Sequence, residues 1–578
     1  MKWRNPVSFF HEKVKLDFVF VVICLSLLVI GNNATKDLTW PSDLDQFRDI
    51  AQTQTIMDGG YGSDPYYLNE HTWYNPGLHF MFGAASLIFN TPVPRAILRF
   101  GAFFIILAPL AFYFMLKSIF GPWPALIGSA GYLFISNPYP AWATSLYSPF
   151  IFPIIFSQAF FYLIITFFYK TIKKGPQVKH CLTLGVLLGL TFLINTSSAF
   201  IAGCMIALFF LGKMISELKK PTLTNKTLVP PLRKFLCCAV PAFIISLAFL
   251  CFVLFHYRLK IINPLPTNWE WDQLTLSSLP VLLKTELFYL PNIIAVFGFV
   301  HMIKKNRDEE AKKITLYWLG IVLAYLTYYL LTLELKDASI MLPLIVPAYH
   351  FFFYLKALSY VFFGYGAVIL AGMLGKVLEK RFTFAGKWRR LASAKYLKLR
   401  PVFYLLLAAI GAVYVLTVYA HGEWLQGSSR ASFHKMADNP AIRSYNWIRK
   451  NTKGDDVFLC SDKFSMRVVG PAARKVVATH PYFSNPYVDY DERNNDRIKM
   501  FECLESGEVP DFCRLCKKYK VKYVIETTAV LSKTHPSFQK YLKRVFMCGD
   551  VVIKKLDLKE GGKNVSTPFF FDPRIPTN

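Results

Sequence analysis

Residues 76–90, PGLHFMFGAASLIFN, decide how the chain is laid out. They form an apolar run of fifteen residues that starts with Pro76 and Gly77. A helix rises ~1.5 Å per residue, so ~30 Å of hydrocarbon takes about 20 residues. This run is too short to cross. Around it lie eleven runs that can cross, at 17–32, 95–117, 120–136, 149–169, 180–195, 197–213, 235–256, 285–303, 315–333, 357–376 and 401–420. Eleven spans put the basic segments 170–179, 213–234, 304–313 and 376–400 on one side together with the N-terminus. Excess Lys and Arg marks that side as cytoplasmic. Counting 76–90 as a further span would move every basic segment outside. It therefore reads as a re-entrant or interfacial helix on the non-cytoplasmic face, its backbone covered by protein.

Composition agrees with a bilayer as solvent. Hydrophobic residues make up 54% and charged residues 18%, and Phe alone occurs 53 times. Soluble domains carry about a quarter charged residues. The net charge is +28, but the cations sit mostly between apolar runs, where they set topology rather than bind nucleic acid. The first apolar run has no small-residue cleavage site after it and reads as a retained span.

After Ala420 the composition turns polar. Helices are expected at 438–451, near 496–506, near 511–519 and at 536–544. Strands are expected at 457–460, 475–478, 523–525 and 551–555. This alternation implies a small α/β domain. The division expected is thus 1–420, a membrane domain of about eleven helices, and 421–578, an extracytoplasmic α/β domain. Cys513 and Cys516 form a C-x-x-C pair with no second pair, so buried or locally paired thiols are expected rather than a zinc ribbon.

The external loops 33–94, 137–148, 257–284 and 334–356 hold the chemistry. The first is acidic: Asp43 and Asp45 open a helix-like run from Gln46 to Met57, and Asp58-Gly59-Gly60 ends it. Tyr66, Tyr67, Trp73, Tyr74, Asn75 and Pro76 then lead into the short apolar run. Asp is favoured at a helix start, so capping is the plain explanation of Asp43 and Asp45. Asp58, Asp64 and Glu70 read as turn and surface residues.

The stretch 40–80 resembles the first external loop of the GT-C superfamily of membrane glycosyltransferases, among them aminoarabinose, mannosyl and arabinofuranosyl transferases. It shares an acidic motif just after the first span, an interfacial helix and then Trp/Tyr-x-Pro. The stretch 180–200 and the many-span body with a C-terminal α/β domain add to the likeness. The resemblance implies transfer of a sugar from a polyprenyl-phosphate donor to a glycan, lipid or protein acceptor, with inversion. Asp43 or Asp45 would be the base. Asp43 lies four residues before Phe47 and Asp45 three before Arg48, and the two alignments conflict. Arg48 and Lys336 are expected at the donor phosphate. Trp73, Tyr74, Glu270, Asp272, His480 and Asn485 are expected at the substrates. The next external loop, NPYPAWATSLYSP, lacks a second acid, so neither metal nor cofactor is expected. The chain is placed in a plasma or inner membrane. A transporter or flippase, or a non-catalytic envelope-assembly protein, are the competing readings. The near absence of acidic residues within spans and of repeated halves speaks against transport.

Overall fold

A computed structural model of the chain describes residues 6–41, 43–135, 146–219, 225–266, 278–337, 346–381, 402–419 and 439–558. Seven of its helices are long and apolar enough to cross a bilayer: Leu16–Thr35, Val93–Phe120, Pro153–Lys174, Thr196–Leu218, Val229–His256, Glu309–Leu335 and His350–Leu374. The expected run 285–303 falls on a pair, Leu279–Leu287 and Leu290–Lys305, bent by 84°. The runs 120–136, 180–195 and 401–420 become the shorter helices Pro122–Phe134, Val178–Ile194 and Val402–Thr417. The polytopic helical fold expected from the sequence is therefore present.

Local sequence explains the departures from straight helices. Val93–Phe120 breaks at Ile106. Pro109 lies just beyond and can give no N–H to the carbonyl of Ile105. Close helix contacts need small residues. A side chain on Gly189 would meet the Ala242 carbonyl at 2.9 Å, so Val178–Ile194 and Asn225–Cys251 approach through Gly185 and Gly189.

We name the first three helices α1 (Pro6–Thr35), α2 (Leu44–Met57) and α3 (Gly77–Ile88). α3 is the short apolar run. Its 12 residues rise only ~18 Å, less than the hydrocarbon thickness. Asn75 anchors its start by donating to the Phe192 carbonyl at 2.6 Å, and Gly77 lies where a Cβ would meet the Leu193 carbonyl at 2.7 Å. Leu87 and Ile88 at its far end stay exposed.

The chain divides into two compact units. One holds Met1–Ser42, Asn75–Leu254 and Thr267–His434. The other holds Asp43–Tyr74, Phe255–Pro266 and Lys435–Asn578. The acidic loop thus belongs with the α/β tail and not with the helical body. This grouping is by contact, where the expected division was by position along the chain.

The second unit is built on five strands: β1 (Val457–Cys460), β2 (Lys475–Val476), β3 (Val521–Thr527), β4 (Leu542–Cys548) and β5 (Val551–Leu556), in the order β2-β1-β3-β5-β4. The first three are parallel and β5 and β4 are antiparallel. Helices Pro440–Asn451, Tyr490–Ser506 and Val509–Tyr519 match expectation. Residues 536–544 do not form a helix. They give a 3-10 turn, Pro536–Phe538, and the start of β4. Gln, Lys, Leu and Arg there favour a helix. Pairing with β5 across the Gly549 turn, at φ 56°, overrides that preference. Met500, Phe512, Leu515, Val524, Phe538 and Val552 share the core. The outer edge of β2 is covered by the acidic loop, where the Tyr66 carbonyl accepts from the Val476 N–H at 2.7 Å. All eleven cysteines are free thiols.

Candidate functional site

α2 starts where Asp43 Oδ1 accepts the Asp45 N–H at 2.8 Å. It ends at Asp58, followed by Gly59 at φ 83°. Phe47, Ile50 and Ala51 are buried, which an amphipathic helix explains. Its polar side is buried too: Gln46, Arg48, Asp49, Gln52 and Thr53 are all under a tenth exposed.

Arg48 gathers that side. Its Nη1 donates to Asp45 Oδ1 at 2.6 Å, while Nε and Nη2 both donate to Asp49 Oδ1, at 3.0 and 2.9 Å. The guanidinium lies 4.2 Å over the Tyr74 ring and 5.7 Å from that of Phe483. Burial pulls Arg48 towards losing its proton, but the Asp49 and Asp45 carboxylates outweigh it and the group stays charged. Two carboxylates therefore share one guanidinium. Burial raises Asp45, with Arg48 opposing.

Asp43 is different. Its residue surface is exposed, yet enough protein surrounds the carboxyl that desolvation comes first, and repulsion from Asp45 second, in pushing its pKa up to about 6. One oxygen caps α2 and the other makes no hydrogen bond among the described residues. The interior beside the cluster is also short of partners: Gln46 Nε2 and Tyr66 Oη are buried without any among the described residues.

The other expected site residues fall in several places. Tyr74 supports Arg48, and Trp73 packs edge-on against Tyr74 with its indole N–H unpaired. His480 stacks near Tyr482 and Phe483, and burial lowers its pKa. Asn485 is 1% exposed. Its Nδ2 faces Asp64 Oδ2 (2.9 Å), the His71 carbonyl and Tyr257 Oη (both 3.1 Å), and its Oδ1 takes the Tyr487 N–H (2.9 Å). The turn signals of the polar-aromatic stretch from Ser484 to Tyr490 make it a candidate acceptor contact in the sequence. Those turns instead fold it inward. Lys336 is the penultimate residue of helix Glu309–Asp337, and its side chain lies outside the described residues. Glu270 and Asp272 lie outside them altogether, as does most of the loop 137–148.

Two further acids are buried, neither of them among the candidate site residues, and of the two Asp64 is expected at the surface. Asp49 is fully buried. Asp64 is also fully buried, its Oδ1 accepting the Tyr66 and Tyr67 N–H groups at 2.7 and 2.9 Å. Lys475, itself 7% exposed, donates to the Asp64 carbonyl. The spacing of Asp49 from Arg48 carried a signal, as an adjacent acid on a helix. For Asp64 no local signal exists, because its partners are distant in sequence.

The fold has known relatives. The crystal structure of ArnT from Cupriavidus metallidurans bound to undecaprenyl phosphate aligns with a TM-score of 0.52 at 11% identity, covering 95% of this chain and 99% of that one. The apo oligosaccharyltransferase of Archaeoglobus fulgidus aligns with a TM-score of 0.52 at 14% identity, covering 93% of this chain and 73% of that one. The chain has the GT-C fold. No curated protein sequence matches it. The profile of a family of unknown function matches residues 51–544, which begin just past the acidic cluster. Since that match spans most of the sequence, the chain belongs to this family of unknown function, DUF6541.

Proposed function

We propose that the chain is an integral membrane glycosyltransferase that moves a sugar from a polyprenyl-phosphate donor to an acceptor outside the cytoplasm. The observation that carries this reading is Asp43: a carboxylate with an open oxygen and, among the described residues, no cation hydrogen-bonded to it, its pKa pushed up to about 6 beside a buried acid–arginine cluster. Of the two aspartates it is the better base, because Asp45 is spent on Arg48. A base must reach the hydroxyl it deprotonates, at about 3 Å. Asp43 takes the acceptor hydroxyl proton as that oxygen bonds to the anomeric carbon. The carbon–oxygen bond to the donor breaks, the phosphate leaves with the electron pair, and the anomeric centre inverts.

Arg48 fits the donor phosphate through Nη1, the nitrogen it now offers Asp45. Tyr74 holds its plane, and Trp73 offers a ring and an unpaired N–H to a sugar. Lys336 is a second cation for the phosphate, and Glu270, Asp272 and His480 stand as acceptor contacts. The fold supports the reading, since ArnT is solved bound to undecaprenyl phosphate. The charge pattern supports the side: 170–179, 213–234, 304–313 and 376–400 would face the cytoplasm, and the acidic loop and α/β unit would face away. Neither metal nor cofactor is part of this mechanism, and the membrane is a plasma or inner membrane.

The test is a panel of radiolabelled polyprenyl-phosphate sugars presented to the purified chain in sealed vesicles. Transfer releases free polyprenyl phosphate and moves label to an acceptor. Intact donor crossing the bilayer, with no phosphate released, would instead mean a flippase.

A further inference from the structure

An open cavity of about 470 Å³ lies in the second unit, apart from α2. Its size falls within the ~300–1,000 Å³ typical of small-ligand sites. It sits between the start of helix Tyr490–Ser506 and the end of helix Val509–Tyr519, closed on one side by Leu68, Asn69 and Glu70. Its lining has two properties that together define a ligand.

The first is balanced charge. Glu70, Asp489 and Glu492 face Arg493, Lys518 and Lys520, so acids and bases cancel. A site for phosphate or carboxylate would carry an excess of cations. The charged groups are also held in place. Lys518 Nζ donates to Glu492 Oε1 at 2.6 Å and Asp496 Oδ2 at 2.6 Å, and Arg493 lies 3.8 Å from Glu70. Donors and acceptors thus line the same opening. A hydroxyl, which both donates and accepts, can use both kinds at once.

The second is a set of oriented rings. Tyr487 stacks on Tyr257 with centroids 4.7 Å apart and planes 13° apart. The Arg493 guanidinium lies 4.3 Å over Tyr67 and 5.4 Å from Tyr519. Of these rings Tyr487 and Tyr519 line the cavity and set apolar surface beside its polar groups. The apolar face of a sugar ring and its rim of hydroxyls match that combination.

We infer that this cavity binds an uncharged oligosaccharide. In the proposed transferase that ligand is the acceptor glycan. The inference rests on the transferase reading for its place in the reaction, and binding itself can be measured without any turnover.

The experiment titrates the full chain in nanodiscs with neutral trisaccharides (mannotriose, maltotriose, xylotriose and chitotriose) and with charged probes (a trigalacturonide and inorganic phosphate). Wild type binds at least one neutral trisaccharide. Tyr487→Ala weakens that binding at least about tenfold, a change well outside titration error. Glu492→Gln, on a solvent-facing helix position that does not threaten folding, does the same. Asp43→Asn binds as wild type does, so a chain that binds but never transfers would count against the transferase reading alone. Three results overturn the inference: no neutral trisaccharide binds up to about 10 mM, a concentration that detects even millimolar affinity; binding survives both cavity variants; or the charged probes bind more tightly than the neutral ones.

Discussion

Asp49 and Asp64 are fully buried carboxylates in one short loop, and the two clusters around them are built on opposite principles. Asp64 is closed. Its oxygens take two backbone N–H groups and the Asn485 amide, and one buried lysine balances its charge. The Asp49 cluster is open. Asp45 and Asp49 take the donors of Arg48, Asp43 stands beside them at the surface, and burial first, with repulsion from Asp45 second, raises the Asp43 carboxyl. A buried charge that is fully answered holds a fold together. Burial raises both the Asp64 and the Asp43 carboxyls, but only Asp43 reaches the surface, where such a carboxyl can serve as a general base.

Breaking each cluster should have different consequences. The largest structural effect is expected from Asp64→Ala, which strands Lys475 and two backbone N–H groups in the interior. Removing one partner of a buried pair costs about 3–5 kcal/mol. Denaturant unfolding should show that loss, with little change in transfer per folded molecule. A smaller effect should come from pH. Asp43 works as a base only when ionised, so the rate should rise with pH through about 6, the value to which its carboxyl is pushed. Asp45 is one of the groups raising it, so Asp45→Asn should move that acid limb to lower pH. A pH–rate profile of both proteins checks this. Stability takes the opposite sign. Asp43 binds its proton more tightly folded than unfolded, so between the ordinary Asp value and about 6 its contribution declines as pH rises. The smallest effect should follow Asp58→Ala. Its bonds to Arg449 join two partly exposed groups, and such pairs contribute up to about 1 kcal/mol. A shift in melting temperature larger than Asp64→Ala produces would reverse the ranking of the two acids.

Much of this organisation is legible in the linear order of residues. Apolar run length separates α3 from the spans, and the Asp-rich start and Gly-Gly end delimit α2 to within a residue or two. These features depend on neighbours in the chain. What escapes depends on distant pairing. Asp64 looks like a turn acid because Lys475 and Asn485 are hundreds of residues away. Asn485 looks like a contact residue because its surroundings are turn-forming, yet its amide is consumed by the interior. Gln539, Lys540, Leu542, Lys543 and Arg544 favour a helix, and pairing with β5 draws the last three into β4. In the site, Asp43, Asp45 and Arg48 are readable from spacing. The choice between the two acids is not, because it turns on which of them the guanidinium occupies.

The most direct measurement is the initial transfer rate of Asp43→Asn beside its melting temperature. Asn caps a helix as well as Asp does, so folding should be unaffected. Loss of a general base lowers the rate by about 10²–10⁴-fold, and that loss at an unchanged melting temperature is the predicted result. A rate within about twofold of wild type, far short of that range, would show that Asp43 is a helix cap and nothing more.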